Sequence, residues 1–403
     1  MDDKNKDQQL DEVLTRAVEH VYPSLDEVRE RLKKGSVTLY LGIDPTGPTL
    51  HLGHAINLRK MRVLQNLGHK LILLIGDFTG MIGDPTDKSA ARKHLTREEV
   101  LTNAARYKEQ ASKIIRFDGS NPAEIRYNSD WLGTMSFGDV VELASHFTVQ
   151  QMMERDMFEK RLEENRPIHL HEFLYPLMQG YDSVAMDVDG EIGGNDQTFN
   201  MLAGRTLMRE MKGKEKFVLT MKLLTDPTGK KMGKSEGNMI TLDDSPDEMF
   251  GKVMSWPDGM ILSGFELLTD ISKTEITSIE ETMKGGANPR DFKAQLGQNV
   301  VDFFHGHEAA QTVLEHFEAI FQRKEIPDEM SEYVLIHEKI SVLDLLVKIE
   351  FASSKSEARR LIEGGGVKIN GEEIKTIDVV IEPGIDGLIF QKGKRHFVKI
   401  IRG

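Results

Sequence analysis

The peptide LYLGIDPTGPTLHLGHAINL, residues 39–58, sets two histidines three positions apart around a glycine, directly after an apolar run. At i and i+3, His51 and His54 share one face of a first helical turn, where unpaired backbone N–H groups and the helix dipole attract anions. Imidazole donors there suit a phosphate that gains charge during a reaction. Gly53 between them carries no side chain, so a flat base can pack against the backbone. The same tetrapeptide also serves as a pair of capping or surface histidines. Zinc fits less well, because His-x-x-His lacks a nearby third ligand and a glutamate in the metalloprotease arrangement.

Three further stretches carry chemistry. DPTGKKMGKSEGN (226–238) is Gly-rich and holds Lys230, Lys231 and Lys234. Gly229 and Gly233 stand one residue too close for a P-loop, yet a flexible lysine loop beside an open sheet edge can close over a triphosphate. A solvated turn is the plain alternative. In HEFLYPLMQGYD (171–182), Tyr175, Gln179 and Asp182 fall at i, i+4 and i+7, one narrow polar stripe on a helix. With Phe173, Leu174, Leu177 and Met178 around it, the stripe reads as facing a pocket, where a ligand's ammonium or hydroxyl partners the buried Asp. A hydrogen-bond network within the core is the alternative. Pro176 puts these residues near the helix start, where a missing N–H does little harm. IGGNDQ (192–197) follows a strand and opens a helix. Its glycines permit close approach to a sugar or phosphate, and Asp196 suits ribose hydroxyls.

A scaffold must hold these residues. Residues 8–34 read as polar, charged helix. VTLYLGI (37–43) and HKLILLIGD (69–77) read as buried strands. Between them Leu52, Ile56, Val63 and Leu67 recur near helical spacing, from about His51 to a stop at Gly68. That is one strand-helix-strand unit of a parallel sheet. EIRY (124–127), VAMDV (184–188) and KFVLT (216–220) are further strand candidates. The pattern predicts a doubly wound, Rossmann-like α/β domain with ligands beyond the carboxyl ends of the strands. After about residue 245 the chain reads as helices as far as about 325. RKEIPDEMSEY (323–333) looks like a linker. The last 64 residues start with two short amphipathic helices, 341–350 and 355–363, before GGGVKINGEEI turns into short strands.

The 403 residues exceed what one core usually holds, so two or three domains are expected. With 39% hydrophobic and 29% charged residues the composition is that of a globular protein, and no run approaches the roughly 20 apolar residues of a membrane span. The polar start MDDKNKDQQLDEV argues against export. The absence of cysteine excludes disulfides and thiolate sites. A cytoplasmic location is the default expectation. The net charge of −13 is unevenly spread, for residues 340–403 carry 11 Lys/Arg against 9 Asp/Glu. The tail is therefore the better place for a polyanion partner.

Taken together, HLGH and KMGKS resemble the two signature motifs of class I aminoacyl-tRNA synthetases, usually written HIGH and KMSKS. LYLGIDPT, GMIGDPTDKS, YPLMQGYD and IGGNDQ resemble the tyrosyl-tRNA synthetase family, in order and over nearly the whole chain. The tail, from ISVLDLLVKIEFASSKSEARRLIEGGGVKING, resembles the S4-type RNA-binding domain that bacterial members carry. Gly233 stands where KMSKS has serine, a common variation in the family.

The resemblance implies roles for matching positions. Tyr40 and Asp182 would hydrogen-bond the substrate phenol. Asp84, Tyr175 and Gln179 would hold the α-amino group, with Gln197 lining the same pocket. Gly42, Asp44, Thr46, Gly53, Gly194 and Asp196 would surround ATP. Lys88 and Arg92 would help hold pyrophosphate, with His51 and His54 on one side and Lys231, Lys234 and Ser235 of the closing loop on the other. Mg²⁺ would accompany ATP, with no structural metal. Lys355, Arg359, Arg360 and Lys368 are candidates for tRNA phosphate contacts, although charges on an exposed helix are often simply solvated.

The organisation so implied is a catalytic domain over 1–245 with an inserted dimerisation segment at about 130–165. A helical tRNA-contacting domain (246–325), a linker (326–339) and an S4-like α+β domain (340–403) follow. The implied activity joins L-tyrosine to ATP as tyrosyl-adenylate and then to the 3′ end of tRNA(Tyr), in a homodimer with no membrane attachment. A site whose polar groups need a hydroxyl rejects phenylalanine, a known property of tyrosine-activating enzymes carried over with the resemblance. Tryptophanyl synthetases share both motifs but not the stripe or the tail. A nucleotidylyltransferase shares only H-x-G-H. A non-catalytic RNA-binding relative is opposed by the intact His51, His54, Lys231 and Lys234.

Overall fold

The computed structural model describes residues 3–84, 95–231, 239–322, 330–335, 339–382, 387–393 and 396–402. The chain forms two compact units, Met1–Gly306 and His307–Gly403.

Six strands organise the first unit: β1 (Val18–Tyr22), β2 (Thr38–Ile43), β3 (Lys70–Ile75), β4 (Glu124–Tyr127), β5 (Gly190–Gly194) and β6 (Phe217–Met221). Their order in the sheet is β1-β6-β5-β2-β3-β4. All neighbours run parallel except β1, which is antiparallel to β6. β2 and β3 are buried along most of their length because both are mostly Leu and Ile, with Tyr40 in β2, as expected of parallel strands covered on both faces. The chain leaves β2 toward β3 and β4 and returns on the other side at β5. The carboxyl ends of β2 and β5 thus flank the switch point where an open α/β sheet binds its ligands.

The expected helix after β2 is Leu52–Asn66, and EIRY is a strand as read. Three readings need correction. VAMDV is not a strand. Its first residues complete the apolar face of the helix Leu170–Met186, which ends where Asp187 turns left-handed at φ 50°. The strand comes next, as GEIGG, a glycine-rich stretch of weak β-propensity. Gly190 is glycine because the Phe217 ring packs over it, 2.4 Å from where a Cβ would stand. Pro176 accordingly lies inside the helix, not at its start, and leaves the Glu172 carbonyl without a helical donor. The N-terminal stretch is two helices, Asp3–Thr15 and Leu25–Lys34, separated by β1. The short, half-exposed VEHVY has too little apolar content to announce itself.

Helix Leu170–Met186 crosses Thr198–Lys212 closely where two glycines meet: a Cβ on Gly180 would lie 3.0 Å from the Gly204 nitrogen. The rest of the unit is helical, including Pro246–Met254, Ile261–Leu268, Lys273–Lys284 and Pro289–His305.

The second unit begins with the helix His307–Gln322. Its five-stranded sheet has the order Glu372–Glu373, Val367–Ile369, Leu388–Lys392, His396–Arg402 and Ser331–Leu335, the last pair parallel. Ser331–Leu335, read as linker, is therefore an edge strand. The two expected helices are Val342–Lys348 and Lys355–Glu363. They bury Val342, Leu345, Leu346, Ala358 and Ile362 against Val367, Phe390 and Ile400. Among the described residues, no helix is long and apolar enough to cross a membrane.

Candidate active site

The two motif histidines cap the helix they open. His51 is its N-cap, in extended backbone, and its Nδ1 accepts the Gly53 N–H at 3.1 Å. His54 Nδ1 in turn accepts the His51 N–H at 3.2 Å. The rings lie 4.0 Å apart between centroids. With both Nδ1 atoms occupied as acceptors, the proton of each neutral ring sits on Nε2. Burial, and secondarily the Lys231 ammonium, lowers the His51 pKa to about 4. His54 is pushed well below the usual histidine range by burial, His51 and Lys231. Both rings are thus neutral Nε2–H donors at neutral pH.

The loop that follows β6 returns to this helix. The Leu52 amide donates to Ile240 at 3.0 Å and the Leu242 amide to Leu50 at 2.9 Å. Lys231, the first lysine of KMGKS, pairs with Asp196 at 2.6 Å. Asp196 follows Gly194, whose missing Cβ leaves room for the Asp196 carboxylate, 2.4 Å from that point. Beside Gly53 an apolar hollow is lined by Leu52, Leu224, Met239, Ile240 and Trp256.

Across the switch point, β2 and the helix Leu170–Met186 bring together a buried polar cluster. Tyr40 is fully buried and Asp182 is 2% exposed. Asp182 accepts from Trp131 Nε1 at 2.8 Å and from Asn128 Nδ2 at 3.4 Å. Burial drives the Asp182 carboxyl well above its ordinary range despite those two bonds. Burial, Glu191 and Asp182 drive the Tyr40 phenol well up too, so Tyr40 keeps its proton and remains a donor. Gln179 donates to Glu191 Oε1 at 3.1 Å.

Tyr175 donates to Asp44 Oδ2 at 2.8 Å, and Thr79 donates to Asp44 Oδ1 at 2.7 Å. The Thr46 amide bonds back to the Asp44 carbonyl, and Gly42 lies exposed in β2. Gln197 donates to Asp84 Oδ2 at 2.6 Å, and its own carbonyl oxygen is held by Asn200 at 2.9 Å. Arg155, 5% exposed, reaches within 3.9 Å of Asp84.

One cluster thus gathers Tyr40, Gly42, Asp44, Thr46, His51, Gly53, His54, Asp84, Tyr175, Gln179, Asp182, Gly194, Asp196, Gln197 and Lys231. Lys88, Arg92, Lys234 and Ser235 lie outside the described residues. In the second unit Lys355, Arg359 and Arg360 are exposed on one helix, with Lys355 paired to Asp344 at 2.6 Å, and Lys368 is half-buried in the strand Val367–Ile369.

Sequence reasoning missed Thr79, Asn128, Trp131, Arg155, Ser183, Glu191 and Lys216. For Glu191 and Lys216 a signal existed. A glutamate and a lysine, each at or in an apolar strand, need an opposite charge if buried, and they form a fully buried pair.

The sequence model described as tRNA synthetases class I (W and Y) matches residues 32–322. One described as a tyrosine–tRNA ligase SYY-like C-terminal domain matches 322–400. The tyrosine–tRNA ligase of Thermotoga maritima is 49% identical over 384 residues, covering 94% of each chain. That of Moorella thermoacetica is 43% identical over 395 residues, 96% of this chain and 94% of the relative. Among solved structures, a C-terminally truncated mitochondrial tyrosyl-tRNA synthetase of Aspergillus nidulans superposes with TM-score 0.64 at 21% identity, covering 78% of this chain and 94% of that one. The tyrosyl-tRNA synthetase of Archaeoglobus fulgidus, complexed with L-tyrosine, gives 0.59 at 22% identity, covering 76% and 99%. At those identities the superpositions speak for the fold, while the family model and the two bacterial relatives decide the rest: this chain belongs to the class I tRNA synthetase family of the tryptophan and tyrosine enzymes.

Proposed function

We infer that the protein is a tyrosine–tRNA ligase, which activates L-tyrosine with ATP and transfers it to tRNA(Tyr). The observation that carries the choice of amino acid is the buried Asp182, held by Trp131 and Asn128 beside the buried hydroxyl of Tyr40. A donor and an acceptor together at the inner end of a pocket suit a phenol and penalise a ligand that lacks the hydroxyl.

The tyrosine carboxylate attacks the α-phosphorus of ATP and pyrophosphate leaves, so no covalent enzyme intermediate is needed. Charge grows on phosphate oxygens, and the Nε2–H donors of His51 and His54 answer it without changing protonation state. The apolar hollow beside Gly53 holds about one water as it stands, so adenine is assigned there with the lining side chains parting to admit it. Asp196 suits the ribose, and a ribose there competes with Lys231, freeing its ammonium for phosphate. Lys88, Arg92, Lys234 and Ser235 belong to the same proposal. The described residues hold no group of three His, Asp or Glu spaced for a metal. Mg²⁺ in this reading would accompany ATP and supply charge neutralisation at its phosphates. The adenylate then passes its tyrosyl group to the 3′ end of tRNA, with Lys355, Arg359, Arg360 and Lys368 as phosphate contacts and the cytoplasm as the site of action.

Exposed apolar side chains at Phe137, Val141, Val149, Leu162 and Leu170 support a homodimer built on the 130–165 segment and its edge. Sedimentation of Phe137→Glu checks this: the dimer should dissociate at concentrations where the wild type remains paired.

The test of the activity is ATP–pyrophosphate exchange with each of the twenty amino acids, on the wild type and on Asp182→Ala. Exchange with tyrosine, lost in the variant, is expected. Exchange with tryptophan instead would transfer the chain to the other branch of its family.

A further inference from the structure

Behind the tyrosine pocket lies a charge that the reaction does not use. Lys216 is fully buried and Glu191 is 2% exposed. The Lys216 ammonium donates to Glu191 Oε2 and, at 2.7 Å, to Ser183 Oγ, and it stands 5.5 Å from the centre of the Tyr40 ring. Gly204 makes the space: a Cβ there would sit 2.5 Å from Lys216 Nζ and 2.9 Å from Ser183 Oγ. A buried ion pair is weak evidence for stability, because apolar side chains of similar volume often replace one without loss. Its contacts point elsewhere.

An ammonium can only donate and a carboxylate can only accept. Ser183 therefore gives a lone pair to Lys216, and a hydroxyl that accepts from a cation is polarised into a stronger donor, which favours sending its proton to its other partner, the Tyr40 oxygen at 3.0 Å. Glu191 Oε1 likewise takes the NH₂ end of Gln179. That leaves the Gln179 carbonyl oxygen as the end open to a ligand's ammonium. One ion pair thus orients a residue assigned to the phenol and a residue assigned to the α-amino group.

We propose that the Lys216–Glu191 pair is a positioning and specificity device for amino-acid recognition, which fixes hydrogen-bond direction at Gln179 and, through Ser183, at Tyr40. The proposal rests on the tyrosine-activating reading above. Neither charge is assigned a contact with substrate. Both act through residues that do.

The test compares the wild type with the charge-balanced double variant Lys216→Met/Glu191→Gln and with Ser183→Ala. ATP–pyrophosphate exchange gives separate KM values for tyrosine and ATP and the ratio of tyrosine to phenylalanine activation, and thermal melting reports stability. In the double variant a neutral amide no longer forces the direction of Gln179. Its KM for tyrosine should rise about tenfold, the cost of one misdirected hydrogen bond, with the KM for ATP unchanged and the tyrosine-to-phenylalanine ratio reduced. Ser183→Ala should lower that ratio with a smaller effect on KM. A change in melting temperature or kcat alone, with tyrosine KM and the ratio intact, overturns the proposal. If the double variant does not fold, an unchanged ratio in Ser183→Ala overturns it alone. Absence of tyrosine exchange in the wild type would instead defeat the enzyme reading, a distinguishable failure.

Discussion

Tyr175 donates its hydroxyl proton to Asp44 across 2.8 Å, and the proposed function assigns the first to the amino acid and the second to ATP. The carboxylate is held from the other side by Thr79, and Gly76 leaves it room, since a Cβ there would stand 2.0 Å from Asp44 Oδ1. In that proposal the two half-sites meet in one hydrogen bond just beyond the carboxyl end of β2.

Tyr175→Phe removes that bond while keeping the ring. Asp44 is half-buried, so water recovers part of the loss, and about 1 kcal/mol should remain. The expected result is a rise of roughly three- to tenfold in the KM values for both tyrosine and ATP. An effect on tyrosine alone would show that the bond does not couple the two sides.

Gly53→Ala tests the histidine cap. The added Cβ would stand 2.9 Å from His51 Cε1 and 3.0 Å from Nδ1, so the ring must swing away from the Gly53 N–H that fixes its tautomer. The helix-propensity gain of alanine over glycine, up to about 1 kcal/mol, and the loss of the cap bond, about 1 kcal/mol, should roughly cancel, so stability should change little. Misdirecting a transition-state donor should cost about 100-fold in kcat. A normal kcat would mean that His51 orientation does not matter.

Much of this site was legible because its chemistry is local. His51 and His54 are neighbours on one turn, and Tyr175, Gln179 and Asp182 on one helix face, so periodicity alone places them together. Strands β2 and β3 announce themselves by unbroken apolar runs. β5 does not, because GEIGG spends its positions on close approach, to Phe217 at Gly190 and to Asp196 at Gly194. VAMDV misled because a helix buried on one side and a buried strand both read as apolar runs. What holds the stripe in place, from Trp131 and Asn128 to Lys216, comes from distant segments, and no local pattern brings them together.

Acid should act on this enzyme partly through His51. Its pKa near 4 in the folded chain lies below the 6.5 of an unperturbed histidine. The unfolded chain therefore binds the proton first. The stability at stake is fully present above pH 6.5 and is lost as pH falls toward about 4. His51→Asn should flatten the stability profile in that window. Because Lys231 is the second cause of the shift, Lys231→Ala should raise the titration point of the His51 ring, read by NMR. A ring that titrates near 6.5 in the wild type would contradict its burial.

Arg359 and Arg360 permit a separation of the two half-reactions. They lie exposed on the helix Lys355–Glu363, whose opposite face buries Ala358 and Ile362. Replacing both with alanine keeps helix propensity and leaves the core of the second unit untouched. If they meet tRNA phosphates, aminoacylation should show a higher KM for tRNA while ATP–pyrophosphate exchange stays at the wild-type level. The salt dependence of tRNA binding decides between a phosphate-binding role and a solvated face. Removing one arginine–phosphate ion pair should reduce the slope of log K against log salt by about 0.7 to 0.9. For the double variant that means a reduction of about 1.4 to 1.8, whereas an unchanged slope would assign both arginines to solvent and move the tRNA-binding role to Lys355 and Lys368.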